Sequence, residues 1–323
     1  MNKKRVYSII LSFGFAIIIM YFLFNFLGEF DLELIKTYFT FEVIIISFFI
    51  YLLLKSVNTI RYSLIFGVAG FLKIINILFF SNLILDLVPF RLGEFSYLTL
   101  FKKYFKTSYS EGLKNLIFLR SFDYISICLI MIISFILTLS ENPKILNELN
   151  LILLISLFLL GATFIFIFLF KLNYFLNLKC FKGKFKIINK LTSILFEINF
   201  INNKFKILIL TLIYWITRFL LGIYLFKVVG LELPLFSLLF LSTLMMLVSL
   251  IPLRTFAGFG VFEGTWATGL VLFGVNNKNI LNQVLGAHIL SIVVIIFFGL
   301  IGFIFLNILT QNKFGHTYSK KNS

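Results

Sequence analysis

The stretch that decides the fold lies near the end of the chain, where Val284–Leu309 reads VLGAHILSIVVIIFFGLIGFIFLNIL without one charged residue. About 20 apolar residues in a helix are enough to cross the hydrocarbon core of a bilayer. Similar runs recur outward from it along the 323 residues, of which 60% are hydrophobic and 45 are Phe. Soluble domains have roughly 45–50% apolar residues, so this composition excludes a soluble enzyme, a disordered chain and a disulfide scaffold. The sequence therefore predicts an all-α polytopic membrane protein.

Eight apolar segments are predicted to span the membrane, and a ninth has a different character. The predicted spans are Val6–Leu27, Val43–Ile60, Leu116–Leu139, Leu151–Phe170, Ile207–Phe226, Leu235–Ile251, Val261–Val275 and Val284–Leu309. The ninth segment, Leu64–Phe90, is interrupted by Gly67, Gly70 and several polar residues, and basic residues flank both of its ends. A straight crossing would place one basic end outside, so we expect a re-entrant or broken helix, with a spanning helix as the alternative.

The basic residues predict the orientation of the chain. There are 29 Lys and Arg against 13 Asp and Glu, which gives a net charge of +16. With both termini inside, twenty-one basic residues fall on the cytoplasmic side, including Lys55, Arg61 and the Lys-rich loop 171–206, and four fall outside. The positive-inside rule therefore favours cytoplasmic termini. Four basic residues remain within or beside membrane segments: Lys73, Arg120, Arg218 and Arg254.

The segment PFRLGE, which begins at Pro89, is the first candidate site. Pro89 lacks an amide donor and Gly93 permits unusual dihedral angles, so we expect the backbone to leave the helix here. A helix end freed in this way can present amide groups to an anion, with Arg91 available to bind it. Glu94 would neutralise Arg91 or Arg120, or carry a proton. The alternative, with equal weight, is a helix terminus with an interfacial Arg–Glu pair.

The segment PLRTFAGFGVFE, which begins at Pro252, repeats these ingredients in the same order. Arg254 again follows the proline by two residues, and Gly258, Gly260 and Glu263 come after it. The two prolines lie half a chain apart, and such paired breaks are typical of transporters built from repeats around a central site. An internal inverted repeat is therefore a hypothesis. The corresponding division is a single transmembrane domain, 1–312, with halves 1–150 and 151–312, followed by a disordered cytoplasmic tail, 313–323.

Two further pairs of polar residues share a helix face. Arg120 and Asp123 are three residues apart and can pair. Taken alone, they are better explained as a neutralised helix end, and their closeness to the first motif is what makes them candidates for the site. Tyr214 and Arg218 are four residues apart in the middle of an apolar span, where an ionisable residue indicates a functional site by default. We expect His288, which stands alone in the last span, to be hydrogen-bonded to a neighbouring helix. No spacing indicates a metal or dinucleotide site, so we expect no cofactor and no metal.

The three motifs together resemble a known family. The segment at Pro89 resembles the P-x-R-x-G-E signature of the lysylphosphatidylglycerol synthase transmembrane region, a flippase-like membrane family. Arg120-Ser-Phe-Asp123 is similar to that family's R-x-x-D element, and GFGVFE, from Gly258, to its G-x-G-x-x-E element. The order and spacing match over nearly the whole chain. Three positions depart from the family pattern: Tyr97 and His288 stand where Arg is common, and Ala257-Gly258 where a Gly-Gly pair is common.

The resemblance implies a function in lipid chemistry at the cytoplasmic membrane of a prokaryote. In the best-known relatives, the multiple peptide resistance factors, this region precedes a domain that transfers lysine from tRNA to phosphatidylglycerol, and it is regarded as flipping the product. Because this chain stops at Ser323, we expect the transferase chemistry to be absent and the protein not to be an enzyme.

The leading hypothesis is a flippase-like protein that translocates or binds an anionic or phosphate-bearing lipid, of the lysylphosphatidylglycerol type or a lipid-linked glycan. One alternative is an intramembrane transferase with Glu94 or Glu263 as base. Another is a non-catalytic partner that docks a glycosyltransferase or other lipid-modifying enzyme through the loop 171–206. Nucleic-acid binding is not expected. The residues predicted to bind the headgroup are Arg91, Gly93, Glu94, Arg120, Asp123, Arg218, Arg254, Gly258, Gly260 and Glu263, with helix breaks at Pro89 and Pro252.

Overall fold

The fold is built from helices. The computed structural model describes residues 31–88, 93–141, 204–248, 255–275 and 278–319, together with residues 14 and 21–23. Within these ranges the regular elements are all helical. They are α1 (Leu32–Thr37), α2 (Phe41–Phe66), α3 (Phe71–Leu87), α4 (Phe95–Phe105), α5 (Tyr109–Glu141), α6 (Lys204–Val228), α7 (Leu235–Val248), α8 (Val261–Leu272), α9 (Ile280–Ser319) and a 3₁₀ turn at Phe256–Gly258.

Four of the described helices, α2, α5, α6 and α9, are long and apolar enough to cross a membrane. Each contains one of the predicted spans and extends beyond its predicted limits. Of the predicted span Leu235–Ile251 the structure describes residues 235–248, which form α7, and the predicted span Val261–Val275 contains the 12-residue helix α8. The predicted span Leu151–Phe170, almost all of Val6–Leu27 and most of the loop 171–206 lie outside the described residues.

The segment Leu64–Phe90 contains a break between two helices. Helix α2 ends at Phe66 because Gly67 takes up a left-handed conformation, with φ of 61°, and Gly70 has φ of 118°. Positive φ is readily accessible to glycine, which has no Cβ. Helix α3 then runs for 17 residues. The interruption expected from the sequence therefore lies at Gly67–Gly70.

Helix α3 is the element around which the site is arranged. It packs most extensively against α9, and it also contacts α2, α4 and the 3₁₀ turn Phe256–Gly258. Its buried side chains include Ile74, Ile77 and Leu78, which are fully enclosed. The first motif leads directly into α4, and the 3₁₀ turn belongs to the second motif. Helix α3 therefore connects the regions of both candidate motifs.

A polar layer divides the hydrophobic core into two clusters. On α2, Leu54 belongs to one cluster and Tyr62 to the other, and on α5 Ile127 and Leu119 are divided in the same way. Four of the buried residues between these positions have charged or amide side chains: Lys55, Asn58, Arg61 and Asp123. Buried charge is costly unless it is paired, so this layer is where a functional site is expected.

Candidate functional site

Asp123 joins three helices through its carboxylate. Its Oδ1 accepts hydrogen bonds from Arg61 Nη2 on α2, at 2.5 Å, and from the indole Nε1 of Trp215 on α6, at 2.9 Å. Its Oδ2 lies 3.4 Å from Arg120 Nη1, one turn earlier on α5. Asp123 is only 4% exposed. Since a carboxylate in such a place requires donors around it, these contacts explain why an acid can be buried here.

Arg61 is the innermost cation of the site and is fully buried. Besides its ion pair with Asp123, its Nη1 donates to Asn58 Oδ1, at 3.1 Å, and its guanidinium lies 4.6 Å from the centre of the Tyr214 ring. A planar guanidinium can hold a carboxylate and stack on an aromatic face at the same time. The three contacts together offset the cost of removing this charge from water.

Glu94 and Arg120 extend the ion pairs toward the surface. Arg120 Nη2 lies 3.0 Å from Glu94 Oε1, and the two side chains are 34% and 32% exposed. Glu94 is positioned by Gly93, where an added Cβ would lie 2.7 Å from Leu85 N and 2.8 Å from Ile84 O. Only glycine fits at such a distance from the backbone of α3. We call Arg61, Glu94, Arg120 and Asp123 the ion-pair cluster.

A second polar chain lies beside the ion-pair cluster. The Tyr97 hydroxyl donates to Asn82 Oδ1, at 2.7 Å, and Asn82 Nδ2 donates to the Tyr51 hydroxyl, at 3.4 Å. Burial raises the pKa of Tyr97 well above its ordinary value, so its hydroxyl keeps its proton and remains a donor. Tyr97, one of the three departures from the family pattern, is therefore a neutral hydrogen-bond donor in this chain.

The second motif forms a separate structural unit. Gly258 and Gly260 have φ of 83° and 82°, and Glu263 Oε2 accepts from the Gly260 amide at 2.6 Å, which caps the start of α8. The other oxygen of Glu263 lies 2.6 Å from His288 Nδ1 on α9, and both side chains are buried. The expectation that His288 is hydrogen-bonded to a neighbouring helix is confirmed. Ala257 has φ of 50°, a conformation that favours glycine.

The structure brings some of the predicted residues together and keeps others apart. Glu94, Arg120 and Asp123 meet in the ion-pair cluster, while Glu263 takes part in its own capping interaction. Arg218 is half-buried and lies one turn after Tyr214, on the helix that packs against α2. Four predicted residues, Pro89, Arg91, Pro252 and Arg254, lie outside the described residues.

Two of the buried cations, Lys55 and Arg61, were not among the predicted site residues. Both were counted with the cytoplasmic charges, at the end of a span predicted to stop at Ile60. The predicted end of this span is wrong, because α2 continues to Phe66 and encloses both side chains, which are 1% and 0% exposed. A signal was present in the helical spacing of Tyr51, Lys55 and Asn58, which places polar groups on one face. Trp215, which donates to Asp123, was not among the predicted site residues either.

The long apolar helices and the buried charges define a multi-pass helical membrane protein. The chain belongs to the family described as the lysylphosphatidylglycerol synthase TM region, whose model matches residues 9–299. This finding confirms the family predicted from the three motifs. No curated protein and no solved structure matches the chain.

Proposed function

We propose that this protein binds the headgroup of a phosphate-bearing lipid within its helix bundle and moves that lipid between the two leaflets of the membrane. The observation that carries the proposal is the graded burial of the ion-pair cluster. Arg120 and Glu94 are about one-third exposed, whereas Arg61 and Asp123 behind them are enclosed. Ionisable residues within membrane-crossing helices are costly, and they mark pathways for polar substrates.

The chemistry of the cluster suits a headgroup that carries both signs of charge. Arginine guanidinium groups bind phosphate oxygens through two parallel hydrogen bonds, and carboxylates such as that of Glu94 accept hydrogen bonds from amines. A headgroup of the lysylphosphatidylglycerol type has a phosphate and amines, so it can exchange with the internal ion pairs. Arg91, Arg218 and Arg254 would add to the phosphate contacts, and the glycines and prolines of the two motifs would shape the backbone around them.

Glu263 has a different role in this proposal. Its carboxylate is fully buried and is occupied by the Gly260 amide and by His288. We assign it to holding the second motif in shape, with charge balance as its contribution to the site. The transferase alternative has less support, because Glu94 is paired with Arg120 and Glu263 is buried and held by the Gly260 amide and His288.

The test is lipid movement in reconstituted vesicles. Protein in vesicles that contain fluorescent phosphatidylglycerol is treated with an impermeant quencher, so that only lipid reaching the outer leaflet loses its signal. Arg120→Gln and Glu94→Gln should each slow lipid movement at least about tenfold, since a charge-assisted hydrogen bond contributes about 1.5–3 kcal/mol. The matched control is Lys36→Gln, which removes a charge from an exposed ion pair with Glu33.

Each outcome of this test points to one part of the proposal. Unchanged movement in both cluster variants would contradict the site, and no movement above that of protein-free vesicles with the wild type would contradict the function. Mass spectrometry of the same lipids after incubation with aminoacyl-tRNA or nucleotide-sugar donors separates the transferase class, because only a transferase would form a new lipid species.

A further inference from the structure

Lys55 is a buried cation that the ion-pair cluster does not neutralise. Its side chain is 1% exposed, and its ammonium lies 5.1 Å from the centre of the Tyr51 ring. No carboxylate of the described residues forms an ion pair with it. Arg218 lies one turn after Tyr214 on α6, the helix that packs against α2, and the Tyr214 ring faces Arg61 on α2. A buried ammonium in this position is costly unless an anion accompanies it.

The charges of the ion-pair cluster balance internally. Arg61 and Arg120 face Asp123 and Glu94, so this group has two cations and two anions. Lys55 and Arg218 lie outside that balance, and Arg218 likewise forms no ion pair with a described carboxylate. The described part of this region therefore has a surplus of positive charge.

We propose that Lys55 and Arg218 form the phosphate-binding subsite of this protein, with Tyr51 as a third donor. Arg218 is half-buried and Lys55 is enclosed, so an entering anion would meet the guanidinium first and the ammonium behind it. The Tyr51 hydroxyl already accepts from Asn82, and it can therefore direct its own proton to a phosphate oxygen. Three donors of this kind suit the tetrahedral oxygens of a phosphate.

This inference rests on the proposed function for its ligand, because the phosphate would come from a lipid headgroup. The same donors would suit free phosphate, and the two sources are separated by experiment. The inference also makes a statement about stability. If the unpaired ammonium is kept for binding, its replacement by a neutral side chain of similar length should leave the fold intact or make it more stable.

The experiment measures binding and stability in the full chain. Wild type, Lys55→Met, Lys55→Arg and Arg218→Met are purified in mild detergent and titrated with phosphatidylglycerol, with zwitterionic phosphatidylcholine as the comparison lipid. A parallel titration uses inorganic phosphate. Native mass spectrometry reports bound lipid, and thermal unfolding reports stability. The matched control is Lys73→Met, which removes the charge of an exposed lysine on α3.

We expect both methionine variants at the subsite to lose about tenfold in apparent affinity for phosphatidylglycerol. Lys55→Arg should retain most of it, Lys73→Met should be unchanged, and the unfolding temperature of Lys55→Met should not fall. Wild-type affinity in both subsite variants would overturn the subsite while leaving the proposed function standing. Phosphate binding that depends on Lys55, without preference for phosphatidylglycerol, would support the subsite and contradict lipid as its ligand. Binding of neither probe by the wild type would overturn both.

Discussion

At the scale of single residues, Asp123 holds the ion-pair cluster together. It receives hydrogen bonds from Arg61 and Trp215 and lies near Arg120, so the removal of its charge leaves the enclosed Arg61 without a counterion. Breaking a buried pair from one side costs about 3–5 kcal/mol. We therefore predict that Asp123→Asn strongly lowers the unfolding temperature in detergent, measured by the loss of monodisperse protein on heating.

The double variant Arg61→Met/Asp123→Asn is the control for this prediction. It removes both charges, while the asparagine keeps an oxygen that can accept from the Trp215 indole. Most of the lost stability should therefore return, as expected when two residues are energetically coupled. If the double variant is no more stable than Asp123→Asn alone, the cost does not come from the charge of Arg61, and the assigned role of the pair is wrong.

Three of the four residues of the ion-pair cluster were predictable from the sequence. The pair Arg120–Asp123 follows from helical spacing. For Glu94 the sequence left two possible partners, and Arg120 was one of them. Arg61 was missed because a charge near the end of an apolar run looks the same whether the helix stops before it or continues past it. Only the packing of α2 against α5 and α6, which depends on contacts between distant residues, shows that its side chain points inward.

At the scale of elements, the crossing of α3 and α9 depends on two glycines. An added Cβ at Gly302 would lie 2.6 Å from Asn76 O and 3.0 Å from Phe80 N, and at Gly299 it would meet the Leu83 side chain. Close helix crossings in membrane proteins commonly use small residues in this way. Gly302→Ala should therefore destabilise the protein by about 1–3 kcal/mol, measured as a lower unfolding temperature.

The matched control is Gly222→Ala on α6, where no atom lies within 4 Å of the added Cβ. Alanine favours the helix over glycine by up to about 1 kcal/mol, so this variant should be neutral or slightly more stable. Equal stability of Gly302→Ala and Gly222→Ala would show that α3 and α9 are separated more widely than described here.

The helices themselves were largely predictable, but their lengths were not. Apolar composition alone located α2, α5, α6 and α9, because burial in lipid demands it over a whole span. Helix α8 also arises from an apolar run, yet it ends after 12 residues. Composition could not show this, since the glycine-rich turn before α8 depends on backbone conformation rather than on hydropathy.

At the scale of the whole molecule, hydrogen bonds join residues near the two predicted ends of the bundle. Three bonds lie at the end that is predicted to face outside: Asp31 to Asn282, Gln283 to Gly230, and Ser237, in the first turn of its predicted span, to Glu141. One bond lies at the end that is predicted to face inside, from the Tyr104 hydroxyl to the oxygen of Leu306, near the end of the last predicted span. The assignment of this second end to the cytoplasm stays a prediction of the positive-inside rule.

Cysteine labelling tests both the alternation and the orientation. In a chain with Cys128 and Cys180 replaced by serine or alanine, single cysteines are introduced as Ser110→Cys, Glu33→Cys and Lys278→Cys, all at exposed positions. An impermeant maleimide applied to intact cells should label the cysteines at 33 and 278, and it should reach the cysteine at 110 only after permeabilisation.

Labelling at the three positions distinguishes an error in the orientation of the chain from an error in the arrangement of its helices. If the fold is right and the orientation wrong, all three labels reverse together, and the Lys-rich segment around α4 faces outward. If the cysteines at 33 and 278 label from opposite sides, the end defined by the Asp31–Asn282 bond does not exist, and the arrangement of helices itself is wrong.

Labelling as predicted would place the exposed Lys102, Lys103 and Lys106 beside the anionic inner leaflet, where their charge favours binding to the lipid surface. Since α4 follows Glu94 directly, that contact would hold the first motif at the side of the membrane from which a newly made lipid would enter.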